Sequence, residues 1–463
     1  MIDSARWVRD EFASLSLGHR WRNERWSRMA LAAAARPSGR ITECFSDPAE
    51  RQAAYKLLES GAVRPCEVVR SAARAALRRA TGRYVVVPVD QCTLSLSAAT
   101  TTKGFGRLSV SEKKFGAESM HAIGLDADGV PLGLLAQQLW ARTGPRRSRH
   151  RPTTSLPLQC KESRYWVQVA EDAHQAWRDA GLEAPLWFQL DAGGDGRQVL
   201  ERLFALEDAY VTVRCRRDRR VSWPEDDFLS GALQRVTPVG RIQVRVQDPR
   251  RRQVRVATLE VRATTVGLRL KNKLTKKVSE LRCQVVATRE VGTCPKGEEP
   301  IEWVLLTTWP ASSFESACEV VRAYALRWRI EEVHRTWKTG GKVESSGLSF
   351  ASFQSWAALL LCVAVRAERL KRSSREQPDL PASGEFSPDE LRALTLVSRR
   401  AKRRGDPAAP PSLAEAVLWV AELGGYMGPT PSRGPPGSIV IARGLDRLAH
   451  YTEAVRLLRD AKE

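Results

Sequence analysis

The sequence predicts an α/β protein with a central sheet, an inserted antiparallel β region and helical segments at both ends. Three observations support this class. Short apolar runs such as "YVVVPVD" and "LWFQL" are typical of buried strands. Alternating polar and apolar residues, as in "RQVRVATLEV", predict antiparallel strands between about residues 211 and 300. Apolar residues recur at helical spacing near both termini, and 463 residues allow two or three domains.

The predicted elements follow one another along the chain. Residues 1–80 are helical in pattern, with Gly, Pro and Ser between the segments. Residues 81–371 begin with the strand "YVVVPVD" and the hairpin candidate "HAIGLDADGVPLGLLAQQLW", which has an Asp-Gly turn at its centre. The antiparallel insertion at about 211–300 comes next, and "IEWVLLTTW" then resumes the buried-strand pattern. A proline-bearing linker leads to a helical segment at 388–463.

The charge balance favours a polyanionic partner. Lys and Arg number 74 against 53 Asp and Glu, which gives a net charge of +21. An Arg-rich composition inherited from GC-rich coding DNA would give the same balance. The nine cysteines include no CxxC pair and the N-terminus has no apolar run, so we predict a cytoplasmic protein without a zinc ribbon, a disulfide framework or a membrane partner. The longest apolar run, "WAALLLCVAV", is too short to span a bilayer and predicts a buried helix.

Three carboxylates are candidates for metal ligands. Two predicted strands end in Asp90 and Asp191, and a later helix carries Glu331. Strand ends hold side chains on a rigid sheet, and this combination suits two-metal phosphodiester chemistry, in which Mg²⁺ takes oxygen ligands. For each aspartate taken singly, an ordinary turn or helix cap is the favoured alternative, and the stripe around Glu331 shifts the balance toward a metal site.

A polar stripe surrounds the third carboxylate. On an ideal helix, the segment "YALRWRIEEVHRTWKTGGKVE" brings four polar residues within about 60° of one another: Tyr324, Arg327, Glu331 and Lys338. The opposite side carries four apolar residues: Leu326, Ile330, Val333 and Trp337. This pattern predicts a helix that packs with one face and acts with the other, although a solvated, salt-bridged face has the same pattern.

The stripe also carries a family resemblance. Its spacing, Tyr-x2-Arg-x3-Glu-x6-Lys, reproduces the signature of the bacterial cut-and-paste DDE transposases, and more narrowly the chain resembles the insertion-sequence-four family and its Tn-five type. The resemblance covers nearly the whole chain, because further segments occur in family order: "LGHRWRNER", "AAYKLLES", "VDQCTLSLS", "CPKGEEPIEWVLLTT" and "LAEAVLWVAELGGYMG".

This resemblance implies a ribonuclease-H-like catalytic core at 81–371, a DNA-binding domain at 1–80 and a dimerisation domain at 388–463. It implies that the triad of Asp90, Asp191 and Glu331 holds two Mg²⁺ ions, for which Mn²⁺ can substitute. It also implies a set of residues that contact the DNA of a transposon end: Tyr324, Arg327, Lys338, Trp303, Arg22 and Arg25.

The roles implied for these six residues differ. Tyr324, Arg327 and Lys338 would hold phosphates and a flipped base, and Trp303 would wedge into the DNA stack. Core packing is the alternative for Trp303. Arg22 and Arg25 would contact the end sequence from the N-terminal domain, with solvated helix charges as the alternative.

The implied function is that of a transposase. The enzyme would bind double-stranded transposon ends as a homodimer, cleave them through a hairpin intermediate and join the 3′ ends to target DNA. Two alternatives stay open: a catalytically decayed or repurposed DNA-binding protein, and a stand-alone nuclease of the same fold.

The sequence departs from the family pattern at two places. After Asp191, "DAGGDG" keeps Asp195 but lacks the usual intervening Arg and Glu, which leaves open a metal role for Asp195. Pro88 stands inside the first predicted core strand, where its missing N–H removes a ladder hydrogen bond unless a bulge absorbs it.

Overall fold

A computed structural model gives the structure of the chain. It describes residues 4–461 apart from several internal stretches: 109–113, 143–155, 248–253, 273–274, 293, 295–297, 404–408 and 430–433.

One large sheet lies at the centre of the molecule. Its described strands are β1 (Val85–Ser95), β2 (Gly106–Arg107), β3 (Phe115–Leu125), β4 (Pro131–Trp140), β5 (Leu186–Leu190), β6 (Ala209–Arg214), β7 (Arg220–Trp223), β8 (Asp227–Phe228), β9 (Gly240–Gln247), β10 (Val254–Lys271), β11 (Val278–Glu290) and β12 (Glu302–Thr307). Their spatial order is β2-β3-β1-β5-β6-β12-β11-β10-β7-β8, with β4 beside β3 and β9 beside β10.

The sheet is mixed, as the predicted α/β class requires. β1 pairs in parallel with β5, and β5 pairs in parallel with β6. The predicted hairpin forms antiparallel β3 and β4. Because β6 belongs to the parallel part, the antiparallel region begins after Arg214, a few residues later than the predicted position of about 211. From β7 to β12 the described pairs are antiparallel.

Pro88 lies within β1, opposite Gln189 of β5. Pairing between β1 and β3 occurs at Val86 and again from Val89 onward, in one unchanged register. The ladder is therefore interrupted where the proline N–H is missing, and no bulge in β1 is needed to absorb it.

Helices account for both ends of the chain and cover the sheet. The described N-terminal helices are α1 (Ser4–Glu11), α2 (Arg20–Ala35), α3 (Ile41–Cys44), α4 (Pro48–Glu59) and α5 (Pro65–Arg78). The middle of the chain adds α6 (Arg164–Ala180), α7 (Arg197–Leu203), α8 (Leu229–Arg235), α9 (Phe314–Ala325) and α10 (Arg329–Arg335). The C-terminal part contains α11 (Phe350–Glu376), α12 (Pro388–Val397), α13 (Leu413–Leu423) and α14 (Ser438–Asp460).

Helix α11 connects the N-terminal helices with the rest of the molecule. Its Ser352 and Ser355 hydroxyls donate to the carbonyls of Leu58 and Val63, at 3.4 and 2.8 Å. The indole of Trp356 donates at 3.2 Å to the carbonyl of Ser38. α11 is long and apolar enough to cross a bilayer, but 83% of its most apolar window is buried inside the protein, as in a core helix.

The C-terminal helices form a core of their own against the end of α11. Leu370 of α11 packs with buried residues of the three following helices, among them Leu394, Val420 and Leu448. This packing agrees with the alternative in which the terminal helices cover their own chain. It leaves Leu457 and Leu458, near the end of α14, 62% and 66% exposed.

Candidate functional site

Asp90 and Asp191 lie beside each other on neighbouring parallel strands. β1 and β5 pair through Val89 and Leu190, and each aspartate is the next residue along its strand direction. Asp191 caps the following 3-10 turn by accepting the N–H of Gly193 at 2.7 Å. Asp191 follows the end of β5 as predicted, but β1 continues to Ser95, so Asp90 lies inside its strand and not at its end. The parallel pairing of the two strands nevertheless places the two carboxylates side by side.

The glycines after Asp191 allow close packing around it. A Cβ on Gly193 would lie 2.9 Å from the ring of Trp166 and 2.9 Å from an Asp191 oxygen, and one on Gly194 would lie 2.7 Å from the Leu190 side chain. Larger side chains therefore cannot fit without displacing these neighbours. The Trp166 ring therefore explains why glycine, rather than a larger residue, stands at position 193 in "DAGGDG".

The helical region that carries Glu331 changes geometry along its length. Ser313 caps α9, a 3-10 turn over Leu326–Trp328 leads into α10, and a π-helical turn follows over Thr336–Gly340. The sequence predicted one regular helix, so the ideal angles behind the polar stripe do not apply throughout. Single π turns inside helices are frequent at functional sites.

Part of the polar stripe is buried. Tyr324 and Arg327 are only 3% and 6% exposed. On the opposite apolar side Ile330, Val333 and Trp337 are buried and Leu326 is half-buried. The prediction of one packed and one open helix face is therefore wrong for these two residues. They lie between their helix and the sheet edge, which brings them to the aspartates.

Arg327 joins two of the three carboxylates. Its guanidinium donates to Asp90 Oδ2 at 3.3 Å and to Glu331 Oε1 at 2.9 Å. The Arg327 side chain is 7% exposed, against 16% for Asp90 and 38% for Glu331. A guanidinium so enclosed needs acidic or polar partners, because an unpaired buried charge is costly.

The acidic side chains crowd one another electrostatically. Burial raises the pKa of Asp90 to about 7; Arg327 opposes the rise, and Asp191 and Glu331 add to it. Burial also raises the pKa of Glu331. Arg327 again opposes this rise, and the negative charge of Asp191 adds to it. Three carboxylates that disfavour one another's charges form an environment that a bound cation would relieve.

This donor set fits a hard divalent cation in chemistry. Carboxylate oxygens at a rigid sheet edge are the ligands that Mg²⁺ prefers. In the described ranges, no three or more His, Cys, Asp or Glu side chains are grouped closely enough to hold a metal. In this conformation the guanidinium of Arg327 lies between Asp90 and Glu331 and balances their negative charge.

Tyr324 and Trp303 form an aromatic pair at the same edge. Trp303, on β12, is half-buried and meets the Tyr324 ring edge-on, with centroids 5.2 Å apart and an interplanar angle of 72°. Burial raises the pKa of Tyr324, and the negative charge of Asp191 contributes to this rise. Trp303 thus lies beside the polar stripe.

Lys338 lies over the continuation of β1. Its ammonium donates to the carbonyl of Thr93 and is 3.6 Å from Glu344, whose carboxylate also accepts the N–H of Ser95 at 2.7 Å. The Lys338 side chain remains 31% exposed. It has moderate contacts that a phosphate could replace.

Arg22 and Arg25 lie on α2 in the N-terminal part. Arg25 pairs with Glu50 of α4 at 3.0 Å. Arg22 donates to the carbonyl of Leu17 at 3.4 Å, and its guanidinium carbon lies 5.4 Å from the ring centroid of Trp21, which is 52% exposed. In the described residues, neither arginine contacts the three carboxylates.

Sequence reasoning missed a buried histidine pair beneath the site. His121 is the β3 partner of Asp90, and its Nδ1 lies 2.8 Å from Nε2 of His334 on α10. The Gln137 amide donates at 3.2 Å to the other ring nitrogen of His121, so His121 carries its proton on Nδ1 and donates to His334. Burial lowers the pKa of both rings, to about 3 for His334. Two neutral imidazoles thus connect the sheet to the helix of Glu331.

A second buried network lies on the other side of α10. Burial opposes ionisation of Glu332, yet surrounding cations lower its pKa to about 2: Lys371, Arg372 and Arg329. In the π turn, the Thr336 hydroxyl donates to Glu368 of α11 and lies 2.8 Å from the Ser438 hydroxyl at the start of α14. The helix of Glu331 is therefore bonded directly to the C-terminal helices.

Asp195 has a structural environment. Its carboxylate is 1% exposed and pairs with Arg219 at 2.6 Å. It also accepts the backbone N–H groups of Arg216 and Arg217, at 2.9 and 3.2 Å. These contacts occupy its oxygens and fix the basic loop after β6, so Asp195 is not free to serve as a metal ligand.

We expect Asp195→Ala to reduce stability more than it reduces cleavage. Removing one partner of a buried ion pair leaves Arg219 unpaired and costs about 3–5 kcal/mol. Asp191→Ala should do the reverse, since Asp191 is less buried and lies beside the other carboxylates. Urea unfolding and DNA cleavage of both variants measure the two effects. Equal losses of stability would contradict this assignment.

Comparison with known proteins adds evidence at both ends of the chain. Residues 4–63 match the family model described as Transposase DNA-binding, and residues 362–463 match the model described as Transposase Tn5 dimerisation domain. A solved structure, the cryo-EM structure of a piggyBac transposase synaptic complex with hairpin DNA, aligns over 81% of this chain and 77% of its own at 9% identity, with a TM-score of 0.37. A likeness that low supports no argument here. Membership of the insertion-sequence-four family stays a prediction. The match to a transposase DNA-binding model at one end and the match to a Tn5 dimerisation model at the other together support a Tn5-like transposase.

Proposed function

We propose that this transposase is a metal-dependent DDE enzyme with a ribonuclease-H-like core, which cuts transposon ends and joins their 3′ hydroxyls to target DNA. The observation that supports this proposal is that two of the three carboxylates, those of Asp90 and Glu331, bond to the buried Arg327, while Asp191 follows β5 beside Asp90. An arrangement so rich in buried charge is costly for folding, and such clusters concentrate at active sites.

In this proposal Asp90, Asp191 and Glu331 would hold two Mg²⁺ ions, or Mn²⁺ in their place, and the bound ions would supply positive charge for the reacting phosphate oxygens. Cleavage adds a water oxygen to phosphorus and breaks the bond to the 3′ oxygen, which leaves as a hydroxyl after taking up a proton. Joining reverses these roles, because the 3′ hydroxyl attacks a target phosphodiester, loses its proton and displaces the target's own 3′ oxygen.

The side chains around the carboxylates would hold the DNA. Arg327 and Lys338 both donate to oxygen atoms that a phosphate oxygen can replace. Trp303 and Tyr324 offer aromatic rings on which an extruded base of a hairpin intermediate could stack. Arg22 and Arg25, on α2, would contact the duplex further from the cleavage point.

Cleavage of end DNA tests the proposed function. Duplexes that carry the inverted repeats flanking the reading frame should be cut in the presence of Mg²⁺, and duplexes with scrambled repeats should not. Binding without cleavage under all metal conditions would favour a decayed DNA-binding protein. Cleavage of both duplexes would favour a nuclease of the same fold.

We expect Lys338→Ala and Arg327→Ala to weaken binding to specific ends and to flatten its salt dependence. Each lost phosphate contact reduces the slope of log K against log salt by about 0.9. The measurement is a titration of end duplex at several salt concentrations. Arg178→Ala, at an exposed position on α6 outside the matched DNA-binding domain, serves as a control with the same loss of charge. An unchanged slope with reduced cleavage would restrict both residues to catalysis.

A paired complex belongs to this proposal. One chain supplies one carboxylate triad, whereas two transposon ends must be cut. The exposed Leu457 and Leu458 lie within the matched dimerisation domain, near the end of α14. We infer that they contribute to the contact between two chains.

A further inference from the structure

The buried histidine pair lies between the sheet and the helix that carries Glu331. His121 on β3 is fully buried, and its Nδ1 lies 2.8 Å from Nε2 of His334 on α10. The Gln137 amide of β4 donates to the other ring nitrogen of His121 at 3.2 Å, and the indole of Trp337 meets the His121 ring edge-on, with centroids 5.2 Å apart. One chain of hydrogen bonds therefore runs from β4 through β3 into α10.

Each histidine is a close neighbour of one carboxylate of the site. His121 stands directly opposite Asp90 in the β1–β3 ladder, so both side chains project from the same face of the sheet. His334 follows Glu331 by three residues in α10, which places the two side chains on adjacent parts of one helix surface. Within the described part of the chain, no hydrogen bond joins either imidazole to Asp90 or Glu331. The pair can thus set the separation of these carboxylates without bonding to them.

Two hydrogen bonds from the polar stripe to β1 use cations that the proposed function assigns to DNA. Arg327 bonds to Asp90, and the Lys338 ammonium donates to the carbonyl of Thr93. A phosphate that attracts these two cations would break both links. Both imidazoles are buried, so an incoming phosphate does not compete for the hydrogen bond between them. The histidine pair would therefore still hold α10 to the sheet when DNA is bound.

A hydrogen bond fixes this separation more closely than an apolar contact would. The two ring nitrogens are 2.8 Å apart, whereas apolar atoms pack at about 3.5–4.0 Å. Replacing the bond by an apolar contact would therefore move α10, and Glu331 with it, by about 1 Å. Mg²⁺ tolerates little departure from its preferred ligand distances, so a shift of that size would weaken its binding.

We propose that His121 and His334 are positioning residues for the metal site, and that their hydrogen bond holds Glu331 at the separation from Asp90 that the metal ions require once Arg327 turns to phosphate. This inference rests on the proposed function and deepens it, because it gives a role to two residues outside the carboxylate triad. The histidines act through α10 and touch neither metal nor DNA.

The first test is His121→Leu combined with His334→Leu. This change removes both members of the hydrogen bond, and the half-buried Gln137 amide can turn to solvent, so the urea midpoint of unfolding should stay near the parental value. Half-maximal cleavage should need about ten-fold more Mg²⁺, and Mn²⁺ should bind the complex with end DNA about ten-fold more weakly, as followed by electron paramagnetic resonance. His174→Leu is the matched control, because His174 is a buried histidine stacked on Trp177 of α6.

Two single variants test the same bond if the double variant does not fold. His334→Gln keeps an acceptor near the position of Nε2, and Mn²⁺ should bind as in the parent protein. In His334→Asn the side chain is one methylene shorter and does not reach His121, so Mn²⁺ should bind about ten-fold more weakly. Parental Mn²⁺ binding by His334→Asn or by a folded double variant overturns the inference, as does equal weakening in His334→Gln or in the control.

These outcomes are distinct from failure of the proposed function. A parent protein that binds no Mn²⁺ on end DNA and cuts no end in Mg²⁺ overturns the proposed function, and the inference with it. A parent protein that does both, with variants that respond to metal as it does, overturns the positioning role alone.

Discussion

Alanine in place of Asp90, Asp191 or Glu331 is expected to abolish Mg²⁺-dependent cleavage and to leave binding of a single end intact. Each substitution removes an oxygen ligand and also a negative charge that repels phosphate. A loss of several kcal/mol of transition-state stabilisation lowers the cleavage rate by about 10³-fold or more. Gel assays of binding and of cleavage on the same end duplex separate the two effects. Substantial cleavage by any variant would refute its residue as a ligand.

Asp128→Ala is the matched control, because Asp128 is an exposed carboxylate in the turn between β3 and β4. Stability provides a second readout for Asp90. Its pKa is about 7 in the folded chain against an ordinary value of 3.8, so folding is coupled to uptake of a proton at pH values between these two pKa values. The Asp90 contribution to stability is therefore lost as pH rises from about 4 to 7, by up to about 4 kcal/mol. Asp90→Ala should remove this part of the pH dependence.

Leu457→Glu combined with Leu458→Glu should prevent the two-chain complex on paired ends while single-end binding persists. Both side chains are largely exposed, whereas Ile441 and Leu448 of the same helix are buried within their own chain. Burying a charged carboxylate at an apolar contact costs several kcal/mol, enough to reduce pairing by about 10²-fold or more. Light scattering of the protein with short end duplexes measures the number of chains and duplexes in each particle.

The control for this pair is Val256→Glu on β10, which changes an apolar residue of 58% exposure outside the C-terminal helices. A double variant that still forms a two-chain, two-duplex particle and cuts both ends would contradict the interface. Point substitutions are preferable to deletion of 412–463, since that deletion would uncover Leu370 and Phe386 of the C-terminal core. A truncated chain would report on folding as well as on assembly.

The parts of the site that depend on local pattern could be predicted from the sequence. The apolar run before Asp90 fixed a strand, and the Asp-Gly turn fixed the β3–β4 hairpin beside it. The regular helix assumed for Glu331 was wrong in detail. Its 3-10 and π turns contain no Gly or Pro before Gly340, so composition gave no signal for them.

The long-range pairings could not be predicted. Arg327 and Asp90 are 237 positions apart, and His121 and His334 are 213 positions apart. A single sequence contains no periodicity at such separations, because these contacts exist only once the sheet and the helix have packed. Asp195 was similarly ambiguous, since its partner Arg219 lies across a loop whose path the sequence does not specify.

The hydrogen bonds of α11 set an order for synthesis on the ribosome. The carbonyls of Ser38, Leu58 and Val63 receive donors from residues made about 300 positions later. Buried carbonyls without donors are costly, and contacts so distant in sequence form slowly. A nascent chain shorter than about 360 residues therefore carries an N-terminal domain whose hydrogen bonding is incomplete. The end that matches a DNA-binding domain is translated first, yet it reaches its final stability only after the central sheet and α11 have left the ribosome.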